Sequence, residues 1–420
     1  MDLLIKNAQI IQPGTPLHGK IRDLLIRDGK FEKIASNIPE QKGIQTFRYP
    51  DLKISTGWMD MRVSFGEPGY EERETLAHGL KVAAYSGFTA IALMPGTNPP
   101  ADHRAAVKYL IEQSAGSPVS VYPVGALTKG MKGQEMAEMY DMSLAGAVAF
   151  GDGNHPTDNP QLLKVALQYA QAFDGLLMSF PQDTALVNNA PANESDFTVR
   201  LGLKGNPGLA ETTRISRDSA LLEYTGGKLH IPLITTRESA KLIRNARRKG
   251  LDISCSVSVH HLILTDRELE HFDTRYKVDP PLRQTKDTKA LRKAVTDGTV
   301  CCIVSDHRPL DIEVKKKEFA LAEPGTIGLE SFFGALNTVL SPEDFIPLIT
   351  ENPRKRLGIN LPAIEEGEKA DITLFETRSE WSFDISHVRS TSKNSAFYGK
   401  KMKGKALGII HNNQLVLHSS

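Results

Sequence analysis

Arg62, Ser64, Asp306 and a handful of histidines are the residues whose types and spacing could do chemistry in this chain. Arg62 and Ser64 lie in STGWMDMRVSFGEPG (55–69), which reads as a buried strand running into a loop. Alternate residues of an extended chain point the same way, so both side chains face whatever sits at the strand's end. Two imidazoles there could hold a divalent metal. A guanidinium keeps its proton and cannot ligate, and a hydroxyl is a weak ligand. Asp306 and Asp152 are the acids available to such a site. Zinc takes three or four N, S or O donors, so one or more of His260, His261, His307 and His155 would have to move in. The competing reading pairs Arg62 with Asp306, because a buried carboxylate without a counter-charge is expensive. Arg62, Arg308 and His260 are the candidate contacts for an anionic ligand. His155 and His230 read as surface or core histidines.

The elements that must position these residues alternate between strand and helix. Apolar strand runs fall at 54–63, 88–95, 119–126, 146–152, 175–180, 228–235, 252–259 and 299–306. Helical stretches with apolar residues at three-to-four spacing, such as 74–87, 159–175 and 238–250, sit between most of them and close on glycine. Eight strands with covering helices over about 290 residues fit a (β/α)8 barrel, which places the fold in the α/β class. Both chain ends read differently. LLIKNAQII and DLLIRDGKFEKIA are strand-like, with Asp28-Gly29 as a two-residue hairpin turn, and 370–376, 406–413 and 414–419 are strand-like again. A hairpin cannot bury both faces alone. The expected organisation is a composite β-sandwich from 1–54 and 362–420 around a barrel at 55–361.

The chain of 420 residues is long enough for both parts, and its 40% hydrophobic and 24% charged residues are ordinary for a globular protein. A formal net charge of +1 gives no reason to expect nucleic acid or an anionic membrane as partner. No run approaches a spanning length and the first residues lack a leader pattern, so a cytoplasmic protein is expected. The three cysteines, Cys255, Cys301 and Cys302, read as reduced core residues ahead of soft metal ligands. The basic run 315–317 reads as a solvated face.

Several ungapped stretches resemble one family. MDMRVSFGEPGYEERET, AAYSGFTAIALMPGTNPPAD, GAVAFGDG, VHHLILTD, DPPLRQTKDTKALRKAVTDGTV, VSDHRP, PGTIGLESFFGAL and ITENPRKRLGI resemble, in order, the type I dihydroorotases of the cyclic amidohydrolases. Allantoinases and dihydropyrimidinases share the frame less closely. The resemblance implies a zinc-containing barrel flanked by a small β-sandwich, and the reversible cyclisation of carbamoyl aspartate to dihydroorotate in pyrimidine biosynthesis.

Taken residue by residue, the resemblance also implies losses. The family's two strand-one histidine ligands fall on Arg62 and Ser64, and two further histidine ligands fall on Phe180 and Leu233. Asp152 is one acid kept from a two-acid segment, and either acid could be the family's ligand. Asp306 is kept, and the resemblance makes it both a metal ligand and the general base, here idle. Gly66, Gly96 and Asp279 replace groups that contact the substrate, each change costing ~2–4 kcal/mol of binding. With Arg62 paired to Asp306, a guanidinium replaces the metal, and Phe180 and Leu233 fill the vacated volume. The expectation is therefore a dihydroorotase homologue without metal or catalysis, a homo-oligomer serving as structural or regulatory companion of aspartate carbamoyltransferase or of an active dihydroorotase. Two alternatives stand beside it. One is a hydrolase of cyclic amides or ureides with a rebuilt metal site. The other is a metal-free anion sensor.

Overall fold

The computed structural model describes residues 1–418. All eight expected barrel strands form: β1 (Trp58–Val63), β2 (Phe88–Leu93), β3 (Ser120–Gly125), β4 (Ala149–Phe150), β5 (Leu176–Met178), β6 (Lys228–Ile231), β7 (Ile253–Ser258) and β8 (Cys302–Val304). Each is hydrogen-bonded to its neighbour in sequence order. Past the end of β8, His307 bridges Val63 in parallel and its carbonyl accepts the Ser64 amide at 2.9 Å, so the sheet nearly closes on itself. Every residue of β1, β2 and β7 is buried, as a parallel sheet covered on both faces requires. The barrel interior is packed with Met59, Met61, Ala92, Val124, Met178 and Val304, not hollow.

Helices cover the outside where the three-to-four spacing predicts them, at Leu76–Tyr85, Pro160–Ala170 and Arg237–Arg248, started by the side chains of Thr75, Asn159 and Thr236. A longer helix, Gly208–Thr225, packs against the second of these. Among the described residues no helix is long and apolar enough to cross a membrane.

The two chain ends join in one mixed sheet of eight strands. Its order runs Gln414–Leu417, Lys401–His411, Ile372–Ser382, Lys53–Thr56, Leu3–Ile10, Ile21–Arg27 and Lys30–Ala35, with Gln45–Phe47 branching from Leu3–Ile10. The strand expected at 414–419 ends at Leu417, and its position 419 lies outside the described residues. Asp28 and Gly29 both take positive φ, the hairpin turn their types favour. Leu3, Ile5, Leu24, Phe31, Ile54, Ile372 and Ile410 form the core of this unit.

The expected 54–63 strand is divided at Gly57. Lys53–Thr56 pairs with Ile372–Ser382 in the terminal sheet, and β1 begins one residue after the glycine. A Cβ at Gly57 would stand 1.9 Å from Asp371 Oδ1 and 2.0 Å from Thr89 Oγ1, so only glycine lets the chain pass from sheet to barrel here.

Lys315 corrects the reading of the basic run. It is buried, and its ammonium donates to the carbonyls of Lys277, Glu323 and Gly325 at 3.4, 3.0 and 3.1 Å. Burial, with Lys277 and Arg308 adding like charge, pulls its pKa down to about 7. A base whose folded pKa lies below its unfolded value binds more protons when unfolded, so it favours the fold increasingly as pH rises from about 7 towards 10. Wild-type stability, measured by urea unfolding relative to Lys315→Gln, is expected to climb by up to about 1 kcal/mol per pH unit across that window. A flat difference would mean the buried amine keeps its proton across the window, as it does in the unfolded chain.

Candidate functional site

The site is built from loops at the C-terminal ends of the barrel strands, around Arg62 and Asp306. Asp60, two residues before Arg62, sends one carboxylate oxygen to the Arg62 amide and the other to the Ser305 amide, both at 2.9 Å. It thereby ties the end of β1 to the end of β8. Complete burial pushes its pKa up to about 7 against those hydrogen bonds. Asp306 takes φ +50°, a left-handed conformation that aspartate tolerates, and so turns its carboxylate into the mouth.

There the Arg62 Nε donates to Asp306 Oδ1 at 2.9 Å, with the two side chains 5% and 13% exposed. Burial pushes the Asp306 pKa up to about 6, while Arg62 and Arg308 restrain the rise and Asp279 adds to it. The far side of the guanidinium donates to Asn154 Oδ1. Asn154 in turn donates to the Asp279 carbonyl at 3.0 Å and to its carboxylate at 3.4 Å, and Gln182 Nε2 reaches the same carboxylate at 3.2 Å. One chain of polar contacts thus joins the end of β1 to loops that follow β4, β5, β7 and β8. The Phe180 ring lies below it, its centroid 5.8 Å from the Arg62 guanidinium carbon. Arg308 is half-buried and is held electrostatically by Asp279, Asp306 and Glu323.

The remaining candidates divide clearly. Ser64 contributes its backbone to barrel closure. Leu233 is fully buried in the barrel interior with Phe180 and takes φ +54°, an unusual conformation for a leucine. Asp152 is turned away from Arg62. Its carboxylate accepts from the Leu127 and Thr128 amides at 2.8 and 3.0 Å and from the Thr128 hydroxyl at 2.5 Å, fixing the loop after β3. His261 is held between Ser258 and the Pro280 carbonyl, and His230 between Ser254 and Ser256. His155 is exposed. His307 accepts amides of Gly328 and Leu329, leaving its Nε2 without a partner. His260 is completely buried, both ring nitrogens lack a hydrogen bond, and Nε2 stands 4.0 Å from Asp306 Oδ2. Burial holds its pKa well below the ordinary value, so the ring is neutral.

The acids of this donor set are already engaged. A guanidinium occupies one oxygen of Asp306, Asp152 is spent on a loop, and among the described residues no group of three or more His, Cys, Asp or Glu is arranged to hold a metal. The cysteines lie elsewhere: Cys255 and Cys302 are buried, and Cys301 Sγ is 3.2 Å from Cys302 Sγ at the opposite, N-terminal end of β8.

Comparisons with known proteins place this geometry. A dihydro-orotase-like family model matches residues 53–239, and an amidohydrolase family model matches residues 189–412. The dihydroorotase of Ruminiclostridium cellulolyticum is 38% identical over 412 residues, covering 96% of each chain. The chain belongs to the dihydroorotase-like amidohydrolase family. The dihydroorotase of Geobacter metallireducens is 35% identical over 99% of each chain. Among solved structures, an L-hydantoinase (dihydropyrimidinase) from Arthrobacter aurescens superimposes with a TM-score of 0.86 at 21% identity, covering 99% of this chain and 96% of that one. That likeness supports the barrel and terminal sheet as a common fold.

Against this family frame, Asp60, Asn154 and Gln182 are the site residues that reading the sequence misses. Asp60 carries a legible signal, since it shares the alternating face of Arg62 and Ser64. Asn154 and Gln182 carry none, because they meet Asp279 across 125 and 97 residues of chain.

Proposed function

We propose that this chain is a dihydroorotase homologue that has given up metal binding and ring hydrolysis, and serves as a non-catalytic structural or regulatory partner of aspartate carbamoyltransferase or of an active dihydroorotase. The observation that carries the reading is the Arg62–Asp306 ion pair, in which a permanent cation holds the carboxylate that the family uses as ligand and base. Phe180 and Leu233, packed in the same interior cluster, support it by leaving no imidazole at two further ligand positions. The partner rests on the resemblance to inactive family members that accompany aspartate carbamoyltransferase.

A second reading has its own support. Relatives 35–38% identical along nearly the whole chain carry the name dihydroorotase, and Asp306, at about 6, titrates close to neutrality, where a general base is most useful. In that case the chain is an active cyclic amidohydrolase whose metal site is completed by movement of His260 or His307. Metal content and dihydroorotate hydrolysis, with and without added zinc, decide between the two. The non-catalytic reading expects less than about a tenth of a zinc ion per chain and no turnover in either case. One or two ions per chain with turnover would establish the second reading. Co-purification with aspartate carbamoyltransferase tests the partner separately.

A further inference from the structure

At the N-terminal end of the barrel, away from the mouth, three side chains from distant parts of the chain meet where the barrel touches the terminal sheet. Ser120 opens β3, His411 closes the strand Lys401–His411, and Asp371 directly precedes the strand Ile372–Ser382. The Ser120 hydroxyl is 2.8 Å from His411 Nε2, and His411 Nδ1 is 3.5 Å from Asp371 Oδ1. A hydroxyl bonded to one ring nitrogen, with a carboxylate beside the other, is the arrangement that activates a serine for attack on an acyl carbon.

The surroundings suit each role. The imidazole has to be neutral and protonated on Nδ1, so that Nε2 accepts the Ser120 proton. Asp371 favours that tautomer, because a carboxylate accepts a proton on Nδ1 and offers none of its own. Its Oδ1 accepts no other hydrogen bond, and a small movement of either side chain brings the contact into hydrogen-bonding range. The other oxygen faces the Arg354 guanidinium at 3.5 Å, itself anchored on the Gly57 and Thr350 carbonyls at 2.6 and 3.0 Å. Burial lowers the His411 pKa, Asp371 opposes that, and Arg354 and Lys369 add to it, so the ring is neutral near pH 7. The turn after His411 folds over the loop before β3, with Asn412 and Gln414 donating to the Ser117 and Gly116 carbonyls, both at 3.0 Å. His411 is thereby held against Ser120, and both stay partly exposed, within reach of a small substrate.

We propose that Ser120, His411 and Asp371 form a second, metal-independent centre that hydrolyses small carboxylic esters. The Ser120 oxygen adds to the acyl carbon as its proton passes to His411 Nε2, and the alcohol leaves with that proton. Water, deprotonated by the same nitrogen, then releases the carboxylic acid and restores the serine. Ser120 and His411 are the catalytic residues, and Asp371 is a positioning residue.

A fluorophosphonate probe tests this on the full chain, with a chelator present so that zinc plays no part. Label is expected on Ser120, located by peptide mass spectrometry, and is lost in Ser120→Ala. In His411→Gln the labelling rate is expected to fall about 100-fold, a usual contribution of a general base. Hydrolysis of p-nitrophenyl acetate reads turnover. Its wild-type rate is expected to rise with pH through an inflection below the ordinary histidine value of about 6.5. Asp371→Asn is expected to slow it about tenfold or more and to move the inflection to lower pH, since the charge that favours the protonated ring is gone. The proposal is overturned if wild-type Ser120 takes up no label, or if a folded His411→Gln labels as fast as wild type. Should that variant fail to fold, a wild-type rate without an inflection below pH 7 overturns it equally.

Discussion

Arg62→Met is expected to destabilise the fold by about 3–5 kcal/mol near pH 8, and by much less near pH 5. The size follows from burial. Asp306 is 13% exposed and Arg62 is its only charged hydrogen-bond donor among the described residues. Removing the guanidinium leaves a carboxylate in a low-dielectric pocket with only the more distant charge of Arg308 to offset it. The pH dependence follows from the sign of the shift. Asp306 already titrates at about 6, above its ordinary value, so its ionisation opposes folding as pH rises through that window. Without Arg62 the folded pKa climbs further while the unfolded one does not move. Variant and wild type therefore diverge progressively above about pH 6 and converge below about pH 5, where the carboxyl is neutral in the fold. Urea unfolding at the two pH values measures it. Asp306→Asn in the Arg62→Met background should recover most of the loss at high pH, because the pair is one coupled unit. An equal loss at both pH values would assign the effect to lost contact with Phe180 and Asn154 instead.

The same residues show what a sequence discloses about such a site. The eight strands are legible because each is a short apolar run between glycine-rich breaks, long enough for a strand and too short for a covering helix. The pairing of Arg62 with Asp306 is legible for a chemical reason: an arginine at the buried end of a strand needs an anion, and one acid was kept. Asp279 is less so. Its charge suggests repulsion of an anionic ligand, whereas in the structure it anchors Asn154 and Gln182 and lies near Arg62 and Arg308. Nothing in the local pattern shows that, since its partners come from loops without periodicity. Lys315 fails for the opposite reason. A run of lysines looks solvated until three backbone carbonyls from a folded-over segment surround one of them. The division at Gly57 is invisible in an unbroken apolar run and becomes clear only from the atoms that crowd its missing Cβ.

On the non-catalytic reading, histidines placed together at Arg62, Ser64, Phe180 and Leu233 are expected to raise zinc content from below about a tenth to about one ion per chain, whereas Arg62→His alone leaves it unchanged. The single change removes the competing cation but supplies at most one imidazole beside Asp306, short of the three or four donors zinc requires. The other three positions matter for separate reasons. Ser64 shares the alternating face of Arg62. Phe180 lies 5.8 Å from the Arg62 guanidinium and fills space toward it. Leu233 keeps a left-handed backbone, φ +54°, that histidine adopts more readily than leucine, so the turn itself tolerates the exchange. A cation arriving beside Asp306 would also pull its pKa back down from about 6, making the carboxylate a better ligand at neutral pH. Plasma emission on dialysed protein measures zinc, and the d–d spectrum of a cobalt-loaded sample reports the coordination number. Circular dichroism confirms that the variant folds. A folded quadruple variant that takes up no zinc would mean the mouth has closed around the Arg62–Asn154–Asp279 contacts more firmly than the four side chains account for. Uptake would mean the backbone of the metal site has outlived its ligands.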